Sequence, residues 1–234
     1  MANKKQMARA AEAAARQAAQ DKIGKRNKFI AIGGVLLAAI VALIALLGGG
    51  KEDAWPGKQP TAADLVATDY IQIEVADYGT ITAELYGKAA PITVANFLKL
   101  VNEGFYDGLT FHRIISGFMI QGGDPLGNGY GGSDEEIRGE FASNGWNNPL
   151  VHERGVLSMA RSNAPDSASS QFFIMHQAAP HLDGSYAAFG KVLTGMEVVD
   201  AICANTPVTD GNGSVAKANQ PIITSIRVIE NADK

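Results

Sequence analysis

The chain has 234 residues, 46% of them hydrophobic and 19% charged, which excludes wholesale disorder and leaves room for one ordinary domain with an attachment. Its single cysteine, Cys203, excludes an internal disulfide framework and a four-cysteine zinc site. The net charge of −4 is the sum of +6 over residues 1–28, zero over 29–50 and −10 over 51–234. Because residues 51–234 are so acidic, they are poor partners for the phosphates of a nucleic acid, which bind mainly to Lys and Arg.

Residues 29–50 are the most apolar stretch of the chain. Their first nineteen residues, FIAIGGVLLAAIVALIALL, carry no charge and show no polar face. As a helix at ~1.5 Å per residue, the stretch spans roughly 33 Å, enough to cross a bilayer core. The pattern predicts a transmembrane helix over 29–50. A cleaved signal peptide is the alternative, although its apolar region usually runs only ~7–15 residues.

The Lys and Arg residues that precede this stretch predict its orientation in the membrane. Lys and Arg stay on the cytoplasmic side, so residues 1–28 are expected to form a basic cytoplasmic tail. The C-terminal part is then expected outside the cytoplasm, in a single-pass protein of the cell membrane. Residues 51–68 contain Trp55-Pro56-Gly57 and Pro60 and predict a linker between the membrane and a domain.

A domain of many short strands is predicted beyond the linker. Apolar residues alternate over 70–75 and 81–85 around Tyr78-Gly79, which is typical of a β-hairpin. Pro91 is placed to start a helix whose apolar residues recur at helical spacing before Gly104. Further strands are predicted at 110–115, 118–121, 155–160, 171–175, 187–192 and 222–229, and a second helix at 195–204. Together they predict a mainly β fold, a closed antiparallel barrel.

The stretch most informative about chemistry is FHRIISGFMIQGGD, residues 111–124. Alternation along its first strand puts Arg113 and Ile115 on one face and His112 and Ile114 on the other. An arginine within an apolar strand is costly unless its guanidinium has partners or a task. A core strand with a structural ion pair is the alternative interpretation.

Other kinds of catalytic centre find little support. Neither Ser158 nor Ser170 lies in a G-x-S-x-G nucleophile elbow, and Cys203 is expected to be buried in the second helix. The four histidines are scattered and form no H-x-x-x-H pair. No metal and no cofactor is therefore expected.

Five blocks resemble the cyclophilin-type peptidyl-prolyl cis-trans isomerases and follow one another in that family's order. They are FHRIISGFMIQGGD, GVLSMA (155–160), SSQFFI (169–174), LDG (182–184) and FGKV (189–192). The resemblance implies an eight-stranded antiparallel barrel capped by two helices, here over residues 69–232. With the apolar stretch in front, it implies a membrane-anchored bacterial form.

The resemblance also implies a set of site residues. The catalytic residues would be Arg113, Gln121 and Phe118. The substrate-binding residues would be Met119, Phe173, Leu182, Ala160, Gln171, Gly129, Arg161, His181 and Tyr186.

Four positions depart from the pattern common in the family. Arg161 replaces an asparagine that pairs with the substrate backbone, and Tyr186 replaces a histidine of the pocket wall. Ser116 replaces a turn proline, which is expected to affect rigidity. His181 replaces a tryptophan that contacts the inhibitor cyclosporin, so weak cyclosporin binding is expected.

The expected function is acceleration of X-Pro isomerisation in extracytoplasmic proteins, which assists their folding. The partners implied are proline-containing polypeptides and, through the anchor, the membrane; nucleic acid is not among them, and the chain is expected to be a monomer. One alternative is a non-catalytic prolyl-peptide-binding module or holdase. Another is a structural partner in a membrane complex, with the anchor as its functional element.

Overall fold

The computed structural model describes residue 55 and residues 58–230. The predicted tail over 1–28 and the predicted transmembrane helix over 29–50 lie outside the described residues, as does the first part of the predicted linker. Within the described part of the chain, no helix combines the length and the apolar composition that crossing a membrane requires.

Eight strands and two helices make up the described domain. Their bounds are β1 Asp69–Val75, β2 Gly79–Leu85, α1 Pro91–Asn102, β3 Phe111–Ile115, β4 Met119–Gly122, β5 Val156–Met159, β6 Phe172–Met175, β7 Ala188–Thr194, α2 Met196–Asn205 and β8 Ile223–Ile229. The strands pair antiparallel in the order β3-β4-β6-β5-β7-β2-β1-β8. Each strand and helix predicted within this domain is confirmed, with bounds that differ by no more than two residues.

The sheet curls into a half-barrel. Strands β3 and β8 are its two edges and do not pair along their length. The contact is made where the two edge strands begin: Thr110 and Ile222 form a single antiparallel bridge, and Phe111 N donates to Pro221 O at 2.9 Å. The closed barrel predicted from the sequence is thus an eight-stranded antiparallel half-barrel whose edges meet over a short stretch.

Helix α1 packs its buried side chains into the core of this half-barrel. The buried Phe97 ring lies 5.0 Å from the ring of Phe189, 5.1 Å from that of Tyr106 and 5.5 Å from that of Phe172. Aromatic rings at these distances pack favourably and bury a large apolar area. Because the interior is filled with side chains, it leaves no room for a substrate, which has to bind outside.

A distant carboxylate caps the start of α1. The residue before the helix is Ala90, which has no capping side chain, while Ile92 N and Thr93 N donate to the two carboxylate oxygens of Glu140 at 2.9 and 2.8 Å. These are backbone N–H groups that the helix itself leaves without partners. Burial raises the pKa of Glu140, and the bonds from the helix oppose that rise.

The segment before β1 packs against the domain. Trp55 Nε1 donates to Asn144 O at 2.8 Å, and its ring lies 4.8 Å from that of Trp146. The Arg138 guanidinium covers the Trp55 ring at 3.9 Å. Within the predicted linker of residues 51–68, the described residues are therefore attached to the domain surface from Trp55 onward.

Candidate active site

A pocket of about 210 Å³ opens on the outer face of the half-barrel. It is lined by nine residues, each predicted as a site residue from the sequence: Arg113, Phe118, Met119, Gln121, Ala160, Arg161, Phe173, Leu182 and Tyr186. The other three predicted residues lie beside it. Gln171 and Gly129 belong to a hydrogen-bonded wall, and the His181 ring stacks on Phe118 with 5.7 Å between centroids.

Alternation along strand β6 separates the core from the pocket. Phe172 and Ile174 point into the main core, whereas Phe173 and Met175 join a second apolar cluster on the outer face. Successive side chains of a strand point to opposite faces, so a single buried strand serves both clusters. The neighbouring β4 places Gln121 opposite Phe173, which brings a polar and an apolar wall of the pocket together.

Arg113 reaches the pocket from β3. The pairing of β3 with β4 shifts between Phe111 and Arg113, and such irregularities are a common means of re-aiming a side chain beside a site. His112 and Ile114 are buried and Arg113 and Ile115 are partly exposed, which confirms the predicted division of faces.

Three hydrogen bonds hold the Arg113 guanidinium. Nε donates to Asn212 O at 2.8 Å, Nη2 to Asn212 Oδ1 at 3.2 Å and Nη1 to Gln121 Oε1 at 3.2 Å. A guanidinium has five N–H groups, so one on each Nη has no protein acceptor in the described part of the chain. Burial lowers the pKa of Arg113, but arginine starts so high that the group stays charged at neutral pH.

A chain of amides continues from Arg113 along the polar wall. Gln121 Nε2 donates to Gln171 Oε1 at 2.9 Å, and Gln171 Nε2 donates to Gly131 O at 2.7 Å and Gly129 O at 3.1 Å. Each amide is oriented by the next, and hydrogen bonds in such a series reinforce one another. The guanidinium is therefore held by an ordered network that ends on backbone carbonyls.

The other wall of the pocket is apolar. Met119, Phe173 and Leu182 are buried to 1%, 5% and 8% exposure, so only their tips face the opening. The Tyr186 ring meets the Phe173 ring edge to face with 6.0 Å between centroids. The pocket therefore combines an apolar surface of the size of a small ring with charged donors at one side, a shape that suits a proline residue and its amide.

A buried hydrogen-bond series supports this apolar wall from behind. His152 Nδ1 lies 2.8 Å from Asp183 Oδ1, and His152 Nε2 lies 3.0 Å from Ser158 Oγ. The three residue types are those of a hydrolase triad, but Ser158 is fully buried, so no substrate reaches its hydroxyl. Burial lowers the pKa of His152, against the opposing effect of Asp183. Because the His152 ring stacks on Phe173 at 6.1 Å, the series steadies the pocket wall.

Arg161 occupies one end of the pocket and is tied to the protein. Its Nη2 and Nε donate to Ser185 O at 2.8 and 3.1 Å, and its Nη1 donates to Ser162 O at 2.9 Å. Its guanidinium also covers the rings of Tyr186 and Phe141 at 4.7 and 4.9 Å. The side chain therefore acts as part of the wall more than as a free donor.

Asn212 is the site residue that the sequence analysis missed. It lies 99 positions after Arg113, in the segment Asp210-Gly211-Asn212-Gly213. Those residue types do predict a turn, but a local pattern carries no information about which distant side chain the turn meets.

A larger cavity, about 470 Å³, lies along α1 and contains none of the predicted residues. It is lined by Pro91, Ile92, Ala95, Asn96, Lys99, Glu135 and Ile137. Lys99 and Glu135 pair with each other across it at 2.9 Å, so their charges are already matched. The smaller pocket brings together buried apolar groups and an oriented cation, and it is the better candidate.

Comparison with known proteins identifies the family. The family model of the cyclophilin-type peptidyl-prolyl cis-trans isomerases matches residues 70–228. Peptidyl-prolyl cis-trans isomerase B of Bacillus subtilis is 53% identical over 130 residues, which are 56% of this chain and 86% of that protein. A peptidyl-prolyl cis-trans isomerase of Helicobacter pylori is 45% identical over 141 residues, 59% of this chain and 83% of that protein.

A solved structure agrees. The cyclophilin-type isomerase of Cryptosporidium parvum, crystallised in the presence of the dipeptide Ala-Pro, matches with a TM-score of 0.61 and 34% identity over 69% of this chain and 99% of that one. With its fold, its pocket and its sequence in agreement, this chain belongs to the cyclophilin-type peptidyl-prolyl cis-trans isomerases.

Proposed function

We propose that this chain accelerates the cis-trans isomerisation of X-Pro bonds and that Arg113 is its principal catalytic residue. One observation carries the proposal: a guanidinium with two N–H groups to spare stands at the side of an apolar pocket and is held in place by Asn212 and Gln121. Neither a nucleophile nor a bound cofactor is needed for this reaction.

The chemistry of the X-Pro bond explains why such a pocket is enough. Amide resonance sets a barrier of ~18–20 kcal/mol, and uncatalysed exchange takes ~10–100 s. In the twisted transition state the resonance is lost, so the imide nitrogen becomes a better hydrogen-bond acceptor. The free N–H groups of Arg113 donate to that nitrogen and to the substrate backbone, so the twisted state binds better than either planar isomer. This difference in binding accelerates the reaction.

The apolar wall has a complementary task. Phe118, Met119, Phe173 and Leu182 enclose the pyrrolidine ring and hold it while the other side of the bond rotates. Gln121 keeps the guanidinium plane fixed, and a group that is already oriented needs no reorganisation when the transition state forms.

The residues around the pocket influence which substrate residues can flank the proline. Ala160, Gly129 and Gln171 line the path of the substrate residues that flank proline, and Arg161 and Tyr186 close one end of it. Because the Arg161 donors are directed to Ser185 and Ser162, we expect the substrate backbone to find less polar contact there than an asparagine would offer. His181, in place of a large indole, supports the expectation of weak cyclosporin binding.

The activity is tested with the full chain in a protease-coupled isomerisation assay, in which a protease cleaves only the trans form of a prolyl peptide. We expect the wild type to accelerate the slow phase and Arg113→Ala to lose most of that acceleration. Arg227→Ala is the matched control, because it also removes an arginine but one that pairs with Asp107 on the surface. A folded wild type without acceleration would refute catalysis and favour a tethered prolyl-peptide-binding module.

We also propose that the domain works outside the cytoplasm, attached to the cell membrane through residues 29–50, and assists the folding of secreted or surface proteins. The apolar stretch and the bases before it support this location. Protease added outside intact cells is expected to digest residues 51–234 and leave residues 1–28 protected. Protection of the domain would refute the orientation, and release of the whole chain in soluble form would favour a cleaved signal peptide.

A further inference from the structure

The turn between β3 and β4 carries Phe118, and His176, which follows β6, forms two hydrogen bonds with this turn. Gly117 N donates to His176 Nδ1 at 2.8 Å, and His176 N donates to Phe118 O at 2.8 Å. Gly117 has a positive φ of 81°, and a Cβ at its position would meet no atom within 4 Å. Side chains therefore do not pack around this turn at Gly117, and the contacts with His176 restrain it there.

The hydrogen bond from Gly117 determines the tautomer of His176. A ring nitrogen that accepts from an N–H carries no proton, so the proton of the neutral imidazole is on Nε2. Nε2 lies 3.0 Å from Asp200 Oδ1, an oxygen that is buried and has no well-aligned hydrogen bond in the described part of the chain. The imidazole N–H is thus the group that offsets the burial of this carboxylate oxygen.

Arg154 completes the support. Its Nη2 donates to Asp200 Oδ2 at 2.8 Å, and its Nη1 donates to His176 O at 2.7 Å. Asp200 belongs to α2 and Arg154 lies just before β5, so the ring and the backbone of His176 are both bound to other parts of the domain. The side chain of His176 is only 14% exposed, whereas that of its partner Asp200 is 47% exposed.

We infer that His176 is a positioning residue, which sets the place of Phe118 and so the width of the proline pocket. The inference rests on the proposed function of the pocket. Ser116 stands where a proline would lock the backbone, so this turn lacks that restraint. It keeps its own hydrogen bond from Phe118 N to Ile115 O at 2.9 Å, and a contact from outside adds a second restraint. His176 supplies it through an acceptor for Gly117 N and a donor to Phe118 O.

A shift of Phe118 has a recognisable kinetic effect. The aromatic wall contacts the proline ring in the ground state and in the transition state alike, so losing its position removes uniform binding. Such a change raises KM and leaves kcat nearly unchanged. A merely structural role of His176 would lower the folded fraction instead, which reduces apparent kcat and leaves KM unchanged.

Two variants separate the roles of the two ring nitrogens. In His176→Asn the amide oxygen falls where Nδ1 was and can still accept from Gly117 N. In His176→Gln the amide lies one bond further out, near the position of Nε2, and leaves Gly117 N without an acceptor. Initial rates of the full chain are measured over a range of cis-peptide concentrations, with Arg227→Gln as a control for the loss of a surface contact far from the pocket.

We expect His176→Gln to raise KM about three- to tenfold, the factor that one lost hydrogen bond corresponds to, and to keep kcat within about twofold. His176→Asn is expected to recover most of the rise. Wild-type KM in both variants, or lower kcat with unchanged KM, would overturn the inference. If the wild type itself shows no acceleration, the proposed catalysis fails, and the inference is judged separately from the Kd of a prolyl peptide in the same variants.

Discussion

The loop after α2 offers a direct test of how Arg113 is held. Asn212 O accepts from Arg113 Nε, and Gly213 next to it has a φ of 81°. A Cβ on Gly213 would overlap Ile114 O and come within 2.6 Å of Ile115 Cγ1. Since a backbone oxygen cannot rotate away, Gly213→Ala has to displace the loop and the carbonyl that it presents to the guanidinium.

The size of the effect follows from the bonds at stake. An alanine in the left-handed region costs about 1–2 kcal/mol of stability. The bond from Arg113 Nε has a charged donor, and such bonds contribute about 1.5–3 kcal/mol. If the orienting bond is lost in the transition state, kcat/KM is expected to fall about 10- to 100-fold.

The isomerisation assay measures this change, with circular dichroism to verify folding. Gly211→Ala is the matched control, because it makes the same substitution in the same loop at a position where a Cβ meets nothing within 4 Å. A folded Gly213→Ala with wild-type kcat/KM would refute the idea that the loop orients Arg113. If kcat/KM falls equally in both variants, the cause is a general stiffening of the loop and not the displaced carbonyl.

Three further predictions concern stability. Trp55→Ala removes a hydrogen bond and a ring contact, and we expect urea unfolding to show a loss of about 1–3 kcal/mol, whereas no loss would mean that this segment is not anchored. Glu140→Gln places a donor against one of the two N–H groups it caps and is expected to lower stability by about 1–3 kcal/mol; an unchanged urea midpoint would contradict the capping role. Burial lowers the pKa of His112, whose two ring nitrogens have no partner in the described part of the chain, so its contribution to stability is present above its unfolded pKa of about 6.5 and is lost as the pH falls. The slope of stability between about pH 7 and pH 5 is therefore expected to be smaller in His112→Leu, and equal slopes would refute this reasoning.

The sequence predicted the elements well because their signals are periodic and local. Ile71, Ile73 and Val75 alternate with polar residues, and all three are buried in β1. Pro91 marks the first residue of α1. Alternation also separated the two faces of β3 correctly, since it depends only on neighbouring residues.

Contacts between distant residues could not be predicted in the same way. The cap that Glu140 provides for α1 joins residues 47 and 48 positions apart, and the loop that holds Arg113 is further away still. A histidine such as His176, between Met175 and Gln177, carries no signal in the sequence that distinguishes a positioning residue from a surface one. Trp55 looked like part of a linker because Pro56 and Gly57 follow it, and its ring contact with Trp146 exists only in the folded domain.

The pairing of β1 with β8 has a consequence for how the protein is made. Tyr70 lies opposite Ile229, so the first and last strands of the domain are neighbours in the sheet. Ile223 and Ile226 of β8 are fully buried and complete the core. A growing chain therefore cannot finish the sheet until β8 has been synthesised, and contacts between such distant segments form slowly. Until then the chain exposes an unpaired β1 edge, so a message truncated by even one strand is expected to yield a protein that is degraded and not one that is partly active.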